Sequence, residues 1–414
     1  MANSTKKILF ISYDGLTDPL GQSQVIPYLA GLTKWGYEFV ILSCDKPEKF
    51  SSQKEYVEQL IAPFPIQWVS IPYHRKPPVL SSVYDFFKLR QKAKQLHAIH
   101  HFDMTHTRVG LPQLVGLHMK KKLGVKFLND IRGFWADERV DGGMWNLKNP
   151  IYRMVYRFFR KKEDEFIRVA DYNTCLTYKA KEIILNWKHL PQPVKVAVVP
   201  CSADLDLFDP ATVTADKKLA IQQSLGIEPN DFIVSYLGSI GGWYLTREMM
   251  QFCRLLLDKK PNAKFLFISN NRHEVVVEEA AAFGIPADRV IVKMGKRHEV
   301  PLILSCSHFS LFFIKPCFSK LSSSPTKHGE IMAMGIPVIS NSGVGDVKEI
   351  IEKYKAGYVL DDFDLASMQS IVDAICSNKM EMDAAGIRAG AIDFYSLDKT
   401  LDTYHELYQI IMGL

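Results

Sequence analysis

Lys327 and Glu330 stand three residues apart in the run Ser322-Ser-Ser-Pro-Thr-Lys-His-Gly-Glu-Ile-Met-Ala-Met-Gly-Ile-Pro-Val-Ile339. Ser324, Pro325 and Thr326 read as a helix start. Lys327 then lies near the positive end of that helix, and Glu330 lies one turn on, facing about the same way. An ammonium beside the free N–H groups of a first helical turn suits a diphosphate. A carboxylate there can accept two hydroxyl hydrogen bonds from a sugar. The plain alternative is a surface ion pair on a solvated helix.

Three other runs carry chemistry. Gly238-Ser-Ile-Gly-Gly-Trp-Tyr244 follows the apolar run IVSYL and precedes a helix. Gly238, Ser239, Gly241 and Gly242 let a backbone approach a phosphate, and Arg247 in the next helix adds charge. Alone, such a turn is a weak signal. Asn129–Trp145 follows a strand and holds two tryptophans, two arginines and four acids. As a loop it suits sugar recognition, with ring faces stacking and carboxylates accepting hydroxyl bonds; the alternative is a structural loop whose charges pair internally. Asp14–Val25 is the loop after the first strand, where Gly21-Gln22-Ser23 opens the next helix.

The elements that must position these residues alternate. Candidate strands Ile8–Tyr13, Glu38–Ser43, Gln67–Ile71, Met104–His106, Lys126–Asp130, Tyr172–Cys175 and Val194–Val199 are separated by helical stretches, including Ser23–Lys34 and Ile151–Ala170. After the polar, proline-containing segment 198–210, a second series follows: Phe232–Leu237, Ala263–Ile268, Val290–Lys293, Phe309–Phe313, Pro337–Ser340 and Gly357–Leu360. Strands alternating with helices make parallel sheets. The expected fold is α/β: two Rossmann-like, doubly wound parallel-sheet domains facing across a cleft, spanning 1–205 and 206–395. Residues 396–414 form a C-terminal helix able to pack back toward the first domain, with Leu401, Tyr404, Leu407, Tyr408 and Ile411 on one side.

Composition agrees with a folded chain. Of 414 residues, 47% are hydrophobic and 23% charged, which excludes a disordered or low-complexity protein. Seven scattered cysteines without a CxxC pair argue against a disulfide framework or a cysteine zinc site and fit a reducing compartment. The twelve histidines show no ligand spacing, so no metal site is expected. GxGxxG after the first strand, GxxxxGK[ST], GxSxG and HExxH are all missing. The apolar run near the N-terminus reads as a strand rather than a secretory signal, and no run approaches the roughly 20 residues of a membrane span. The chain is expected to be cytoplasmic, with any membrane contact peripheral. Residues 1–200 carry 30 Lys+Arg against 18 Asp+Glu, a balance of +12; the remainder has 21 against 27, or −6. The basic runs near Lys88, near Lys121 and from Tyr152 are solvated helix faces or contacts to an anionic membrane. No nucleic-acid motif is present.

On these residues the chain resembles the family-4 glycosyltransferases of the GT-B fold. SPTKHGEIMAMGIPVIS is similar to the family's S-P-x-K-x-x-E-x-M-A-x-G-x-P-V-I segment. The loop at Gly21, THTR after Met104, VVPCSADLDLF and YLGSIGGW support the match, which runs from about Ile8 to Ile351. The resemblance implies a retaining, metal-independent transferase with no cofactor. Its donor is a UDP- or GDP-sugar and its acceptor a glycan or lipid-linked hydroxyl, in cell-surface polysaccharide or glycoconjugate synthesis. A peripheral place on the inner face of the membrane would suit such an acceptor.

The resemblance also implies residue roles. Lys327 binds the diphosphate, Glu330 the ribose, and Gly238, Gly241 and Gly242 line the phosphate site. Gly21 and Gln22 face the donor from the first domain, and Ser239, Ser324 and Thr326 complete the donor side. Asp130 and Arg132 fall where the family places a catalytic histidine. Asp14, His106, Arg108, Trp135, Asp137 and Glu138 are acceptor-side candidates. Two departures stand out. Ser322 replaces the first of two family glutamates, and the cations after the glycine turn are missing, leaving Lys315, Lys320 or Arg247 to substitute. An epimerase of the same architecture, or a non-catalytic sugar-nucleotide-binding subunit, is the alternative.

Overall fold

The strand runs of the first half are buried on both faces except at the two edges of their sheet. They form β1 (Lys6–Ser12), β2 (Tyr37–Asp45), β3 (Ile66–Pro72), β4 (Met104–Thr107), β5 (Lys126–Ile131), β6 (Tyr172–Cys175) and β7 (Val196–Val198). Their order is β3-β2-β1-β4-β5-β6-β7, and every pair is parallel. The second half adds β8 (Phe232–Leu237), β9 (Ala263–Ile268), β10 (Val290–Lys293), β11 (Phe309–Leu311), β12 (Val338–Asn341) and β13 (Gly357–Leu360). These make a second parallel sheet in the order β10-β9-β8-β11-β12-β13. Both expected Rossmann-like sheets are present. The computed structural model describes residues 5–190, 192–377 and 379–414. It divides into one unit of Met1–Pro200 with Leu397–Leu414 and another of Cys201–Ser396.

Each sheet reverses its winding once, between β1 and β4 and between β8 and β11. Open α/β sheets bind ligands at the carboxyl ends of strands flanking such a reversal. The loops at 13–18 and 108–110 occupy that place in the first unit, and those at 238–245 and 312–317 in the second.

The helices used below are α1 (Pro19–Gln24), α2 (Leu80–His100), α3 (Leu111–Leu123), α4 (Trp135–Asp141), α5 (Pro150–Val169), α6 (Thr246–Lys259), α7 (His273–Ala282), α8 (Thr326–Ala333) and α9 (Leu397–Met412). Two differ from expectation. The helix expected over Ser23–Lys34 is interrupted at Val25, and a separate helix runs Ile26–Leu32. Pro27, in the first turn of that second helix, has no N–H to continue the earlier ladder. Gly21 therefore lies within α1 rather than opening a helix. A Cβ there would sit 2.6 Å from the Gly15 carbonyl oxygen and from Leu16 Cα, so only glycine lets the loop after β1 lie against α1.

The second difference is α4, where a loop was expected. Asp137 and Glu138 occupy its first turn, where carboxylates favour the helix dipole. Alternating charge hides the helix from an apolar-periodicity reading. Helices Ala215–Ser224, Leu365–Cys376 and Ala384–Tyr395 were also not foreseen.

The last helix, α9, belongs to the first unit. Leu401, Tyr404, Leu407, Tyr408 and Ile411 are buried, the expected stripe. Close approach depends on Gly31, where a side chain would collide with Leu401. His405 stacks on Trp35 with ring centroids 4.3 Å apart.

Candidate functional site

In the second unit, Pro325 is the N-cap of α8. Lys327 and Glu330 are 8% and 6% exposed, so they are not a solvated surface pair. The glycine turn comes to Lys327. Gly238 has φ +127°, and a side chain at 238 would collide with the Lys327 ammonium. Lys327 Nζ lies 3.7 Å from the Tyr244 ring centroid and 4.5 Å from that of Tyr236. It donates to the Tyr236 hydroxyl at 3.3 Å, and that hydroxyl donates to the Ser239 carbonyl. Among the described residues this is its one hydrogen bond, and no carboxylate lies at ion-pair distance. Burial pushes the Lys327 pKa down to about 7, against a partial upward pull from Glu330.

Two arginines that the sequence did not single out join this corner. Arg272, at the N-terminus of α7, has φ +51°. Its Nη1 lies 2.9 Å from where a Cβ of Gly241 would stand. It is exposed and has no ion pair among the described residues. Asn271 fixes the turn from the same loop, its side-chain oxygen accepting the Ile240 N–H at 3.1 Å. Arg297, after β10, donates to Glu330 Oε1 at 2.5 Å. Its guanidinium also lies 5.0 Å over the Phe208 ring. Neither arginine is near Lys327 in sequence; the order β10-β9-β8 brings their loops together.

The other donor-side candidates are placed as follows. Gly241 and Gly242 both have positive φ, +74° and +66°, so the turn needs glycine at each. Ser239 is exposed and Thr326 half-buried. The Ser324 hydroxyl accepts the Cys201 N–H at 3.3 Å. Lys320 is buried with Nζ 3.7 Å over the Trp243 ring of the turn. Lys315 is exposed, and its backbone N–H bonds the Trp243 carbonyl at 2.9 Å. Arg247 is turned to α7, 3.5 Å from Glu279 and over the Phe283 ring. The Ser322 hydroxyl is buried and donates to the Ser319 carbonyl at 2.6 Å.

In the first unit, His106, Arg108, Asp130 and Arg132 gather at the carboxyl ends of β4 and β5. Asp130 Oδ1 accepts from Thr174 at 2.8 Å and Oδ2 from Tyr404 of α9 at 3.4 Å. Arg132 Nη1 lies 3.8 Å and His106 Nε2 3.6 Å from the same carboxylate. Burial alone would raise the Asp130 pKa, but Arg132 and His106 hold it at about 2. Burial pushes His106 down, and its Nδ1 shares a 2.8 Å hydrogen bond with Tyr408 of α9. Arg108 Nη1 donates to the Gln24 carbonyl at 3.4 Å.

Asp130 thus ties α9 to the sheet. We expect Asp130→Asn to destabilise the first unit by about 3 kcal/mol, the range for breaking a buried charge pair, or roughly 6–12 °C in melting temperature. Calorimetry checks this. Because the folded pKa is depressed, the contribution is present above about pH 4 and is lost as pH falls toward 2.

The remaining first-unit candidates divide. Asp137 accepts from Tyr156 at 2.8 Å and from Arg160 at 3.0 Å, both on α5. Trp135 packs edge-on against Trp145 and Phe159, at 5.3 and 4.7 Å. Glu138 is half-buried on α4, Asp14 is exposed beyond β1, and Gln22 is half-buried on α1. Among the described residues no three His, Cys, Asp or Glu side chains are grouped to hold a metal ion.

Comparison with known proteins gives this geometry a context. Residues 217–391 match the family model described as Glycosyl transferases group 1. The chain is 20% identical over 336 residues to the UDP-Gal:alpha-D-GlcNAc-diphosphoundecaprenol alpha-1,3-galactosyltransferase of Escherichia coli, covering 80% of this chain and 79% of that one. A glycosyltransferase from Rickettsia africae superposes with TM-score 0.72 at 17% identity, covering 99% of both chains. Anabaena HepE in complex with UDP-glucose superposes with TM-score 0.70 at 13% identity, covering 97% of this chain and 99% of that one. The chain is a glycosyltransferase, and its two sheets are those of the GT-B fold.

Proposed function

We propose that this glycosyltransferase is a family-4, retaining enzyme that binds a nucleoside-diphosphate sugar on its second unit without a metal ion. The diphosphate lies on Lys327 and the Gly238 turn, and the ribose on Glu330. The observation that carries this reading is the buried Lys327 ammonium, which makes no ion pair among the described residues. A cation desolvated in this way gains more from an incoming anion than an exposed one does. Arg272 stands over the same turn as the second cation.

In the transfer, the bond between the sugar's anomeric carbon and the diphosphate breaks as charge grows on the departing phosphate. Lys327, Arg272 and the first-turn N–H groups of α8 stabilise that charge in place of a metal. The acceptor hydroxyl attacks from the leaving-group side. Its proton passes to the departing phosphate oxygen, and the new glycosidic bond keeps the original configuration. Ser322 leaves the sugar without the family's first glutamate, so donor choice rests on other groups.

A UDP-sugar is the first donor to test. The Escherichia coli relative is named for UDP-galactose, and HepE was crystallised with UDP-glucose. That relative's diphosphoundecaprenol-linked acceptor supports a lipid-linked acceptor here, reached by an enzyme peripheral on the inner membrane face. Among the described residues no helix is long and apolar enough to cross a membrane. The test is a panel of UDP- and GDP-sugars scored by thermal stabilisation, with and without EDTA. One donor should raise the melting temperature equally in both conditions. A shift that EDTA abolishes contradicts the metal-free site, and no shift from any donor removes the transferase reading of this corner.

Arg272→Ala gives a sharper result. Its side chain is exposed, so the unliganded melting temperature should stay within about 1 °C, consistent with a surface substitution. Affinity for the nucleoside diphosphate should fall about tenfold, the loss of one charge-assisted hydrogen bond. Isothermal titration measures both nucleotide and variant. Unchanged affinity removes Arg272 from the site.

A further inference from the structure

The first turn of α4 is held by another helix. Phe134, at its N-cap, offers no side-chain hydrogen bond, and the N–H groups of a first helical turn have no partner within their own helix. Glu163 of α5 supplies one: its Oε1 accepts the Ala136 N–H at 3.2 Å. Its Oε2 accepts from Arg160 Nη1 at 2.7 Å, and the same nitrogen donates to Asp137 of α4 at 3.0 Å. Tyr156 completes the set, donating to Asp137 at 2.8 Å. One carboxyl group on α5 thus grips α4 directly and through an arginine.

What α4 carries gives this clamp a use. Trp135, beside Ala136, lies against the loop at 108–110. A Cβ on Gly110, whose φ is +94°, would stand 3.2 Å from the indole. That loop lies at the reversal between β1 and β4, where an open α/β sheet takes its ligand. Leu111 of α3, Ala136 and Phe159 form one buried cluster, with Phe86 of α2 packed against it. The loop and α4 therefore share a core.

We propose that Glu163 is a positioning residue of the acceptor side: it fixes α4, and through Trp135 the 108–110 loop, where the acceptor binds. This rests on the transferase reading and on an acceptor reached through the first unit.

The groups around Glu163 give the clamp a pH dependence. α5 presents Arg160 and Tyr156, and α4 presents Asp137. From α3 and β5 come Gln113 and Asn129, both neutral and bonded to each other at 2.7 Å, and Trp187 adds an uncharged ring. Burial pushes the Glu163 carboxyl up to about 7; Arg160 and the Ala136 N–H oppose this, and Asp137 adds to it. Release of α4 returns the group toward its ordinary 4.5. The held arrangement therefore binds the proton more tightly, so α4 is held below about pH 7 and loosens as pH rises through it.

The experiment follows the full chain by hydrogen exchange, with rates corrected for the intrinsic effect of pH. Protection of residues 135–141 should fall about tenfold from pH 6 to pH 8 in the wild type. Glu163→Gln keeps an acceptor for the Ala136 N–H and cannot ionise, so it should retain the pH 6 protection at both values. Glu163→Ala should lack it at both. Transfer is measured with UDP-Gal and alpha-D-GlcNAc-diphosphoundecaprenol, the pair in the name of the Escherichia coli relative. The wild-type acceptor KM should rise about fivefold or more over the same range, stay level in Glu163→Gln and be high throughout in Glu163→Ala. At each pH, thermal stabilisation by UDP should match the wild type in both variants, which separates the clamp from the donor site.

Protection that changes alike in Glu163→Gln, or not at all in the wild type, overturns the clamp. A protection step with the same KM profile in wild type and Glu163→Gln makes the contact structural and overturns the positioning role. If the wild type transfers nothing to this acceptor, the acceptor reading above fails, while the exchange result still decides the clamp.

Discussion

Lys327→Ala is expected to lower turnover about 100- to 1,000-fold, the loss seen when a preorganised group facing developing charge is removed. The ammonium sits against Gly238 between Tyr236 and Tyr244. Steady-state transfer assays measure the effect, and turnover within threefold of wild type would refute the assignment. Folding should survive, because the cation is buried with no ion pair among the described residues and its removal relieves desolvation. Lys327→Met, which keeps the volume, separates the two effects.

The pH dependence of stability gives an independent sign. The Lys327 pKa is about 7 in the folded chain and near 10.5 unfolded. Between those values the unfolded chain binds the extra proton, so wild-type stability should rise as pH increases from about 7 toward 10. Lys327→Met should lack this part of the rise. Denaturant titrations at pH 7 and pH 9.5 compare the two proteins.

The second large effect is expected at Glu330. Glu330→Gln should raise KM for the donor about 10- to 100-fold while kcat changes little. Hydrogen bonds from hydroxyls to a charged acceptor contribute about 1.5–3 kcal/mol. A ribose hydroxyl is bound alike in ground and transition states, so the loss falls on KM. Arg297 holds the carboxylate at 2.5 Å. Because that guanidinium is half-exposed, Arg297→Ala should move KM the same way by only about threefold. A fall in kcat with unchanged KM at Glu330 would instead give the carboxylate a role in the chemical step.

Much of the fold was legible because most strands are short runs rich in apolar residues, bounded by turn residues and separated by helical stretches. All thirteen lie where those runs are, including the brief Phe309–Leu311 and Val196–Val198. Helices with a mixed surface were less visible. Trp135–Asp141 has one fully buried residue, Ala136, and its charges give no periodic stripe. The break at Val25 was readable in principle from Pro27.

Lys327, Glu330 and Gly238, which the structure brings together, can be singled out in the sequence because one helix start and one glycine turn carry them as local patterns. Arg272 and Arg297 have no local signature. They reach the corner only through the order of β8, β9 and β10, which a single sequence does not reveal. The basic, aromatic run from Tyr152 was visible as an amphipathic helix.

The claim that Lys327 receives a diphosphate is tested most directly by proton uptake. UDP or GDP is titrated calorimetrically into the chain at pH 8 with EDTA, in buffers of different ionisation enthalpy. At that pH the unliganded Lys327 is mostly neutral, since its pKa is about 7, and an adjacent diphosphate restores the charge. Wild type should bind with uptake of nearly one proton at pH 8 and little at pH 6, while Lys327→Met binds weakly with no uptake. Binding with no proton uptake at pH 8, or the same uptake in Lys327→Met, would contradict the account.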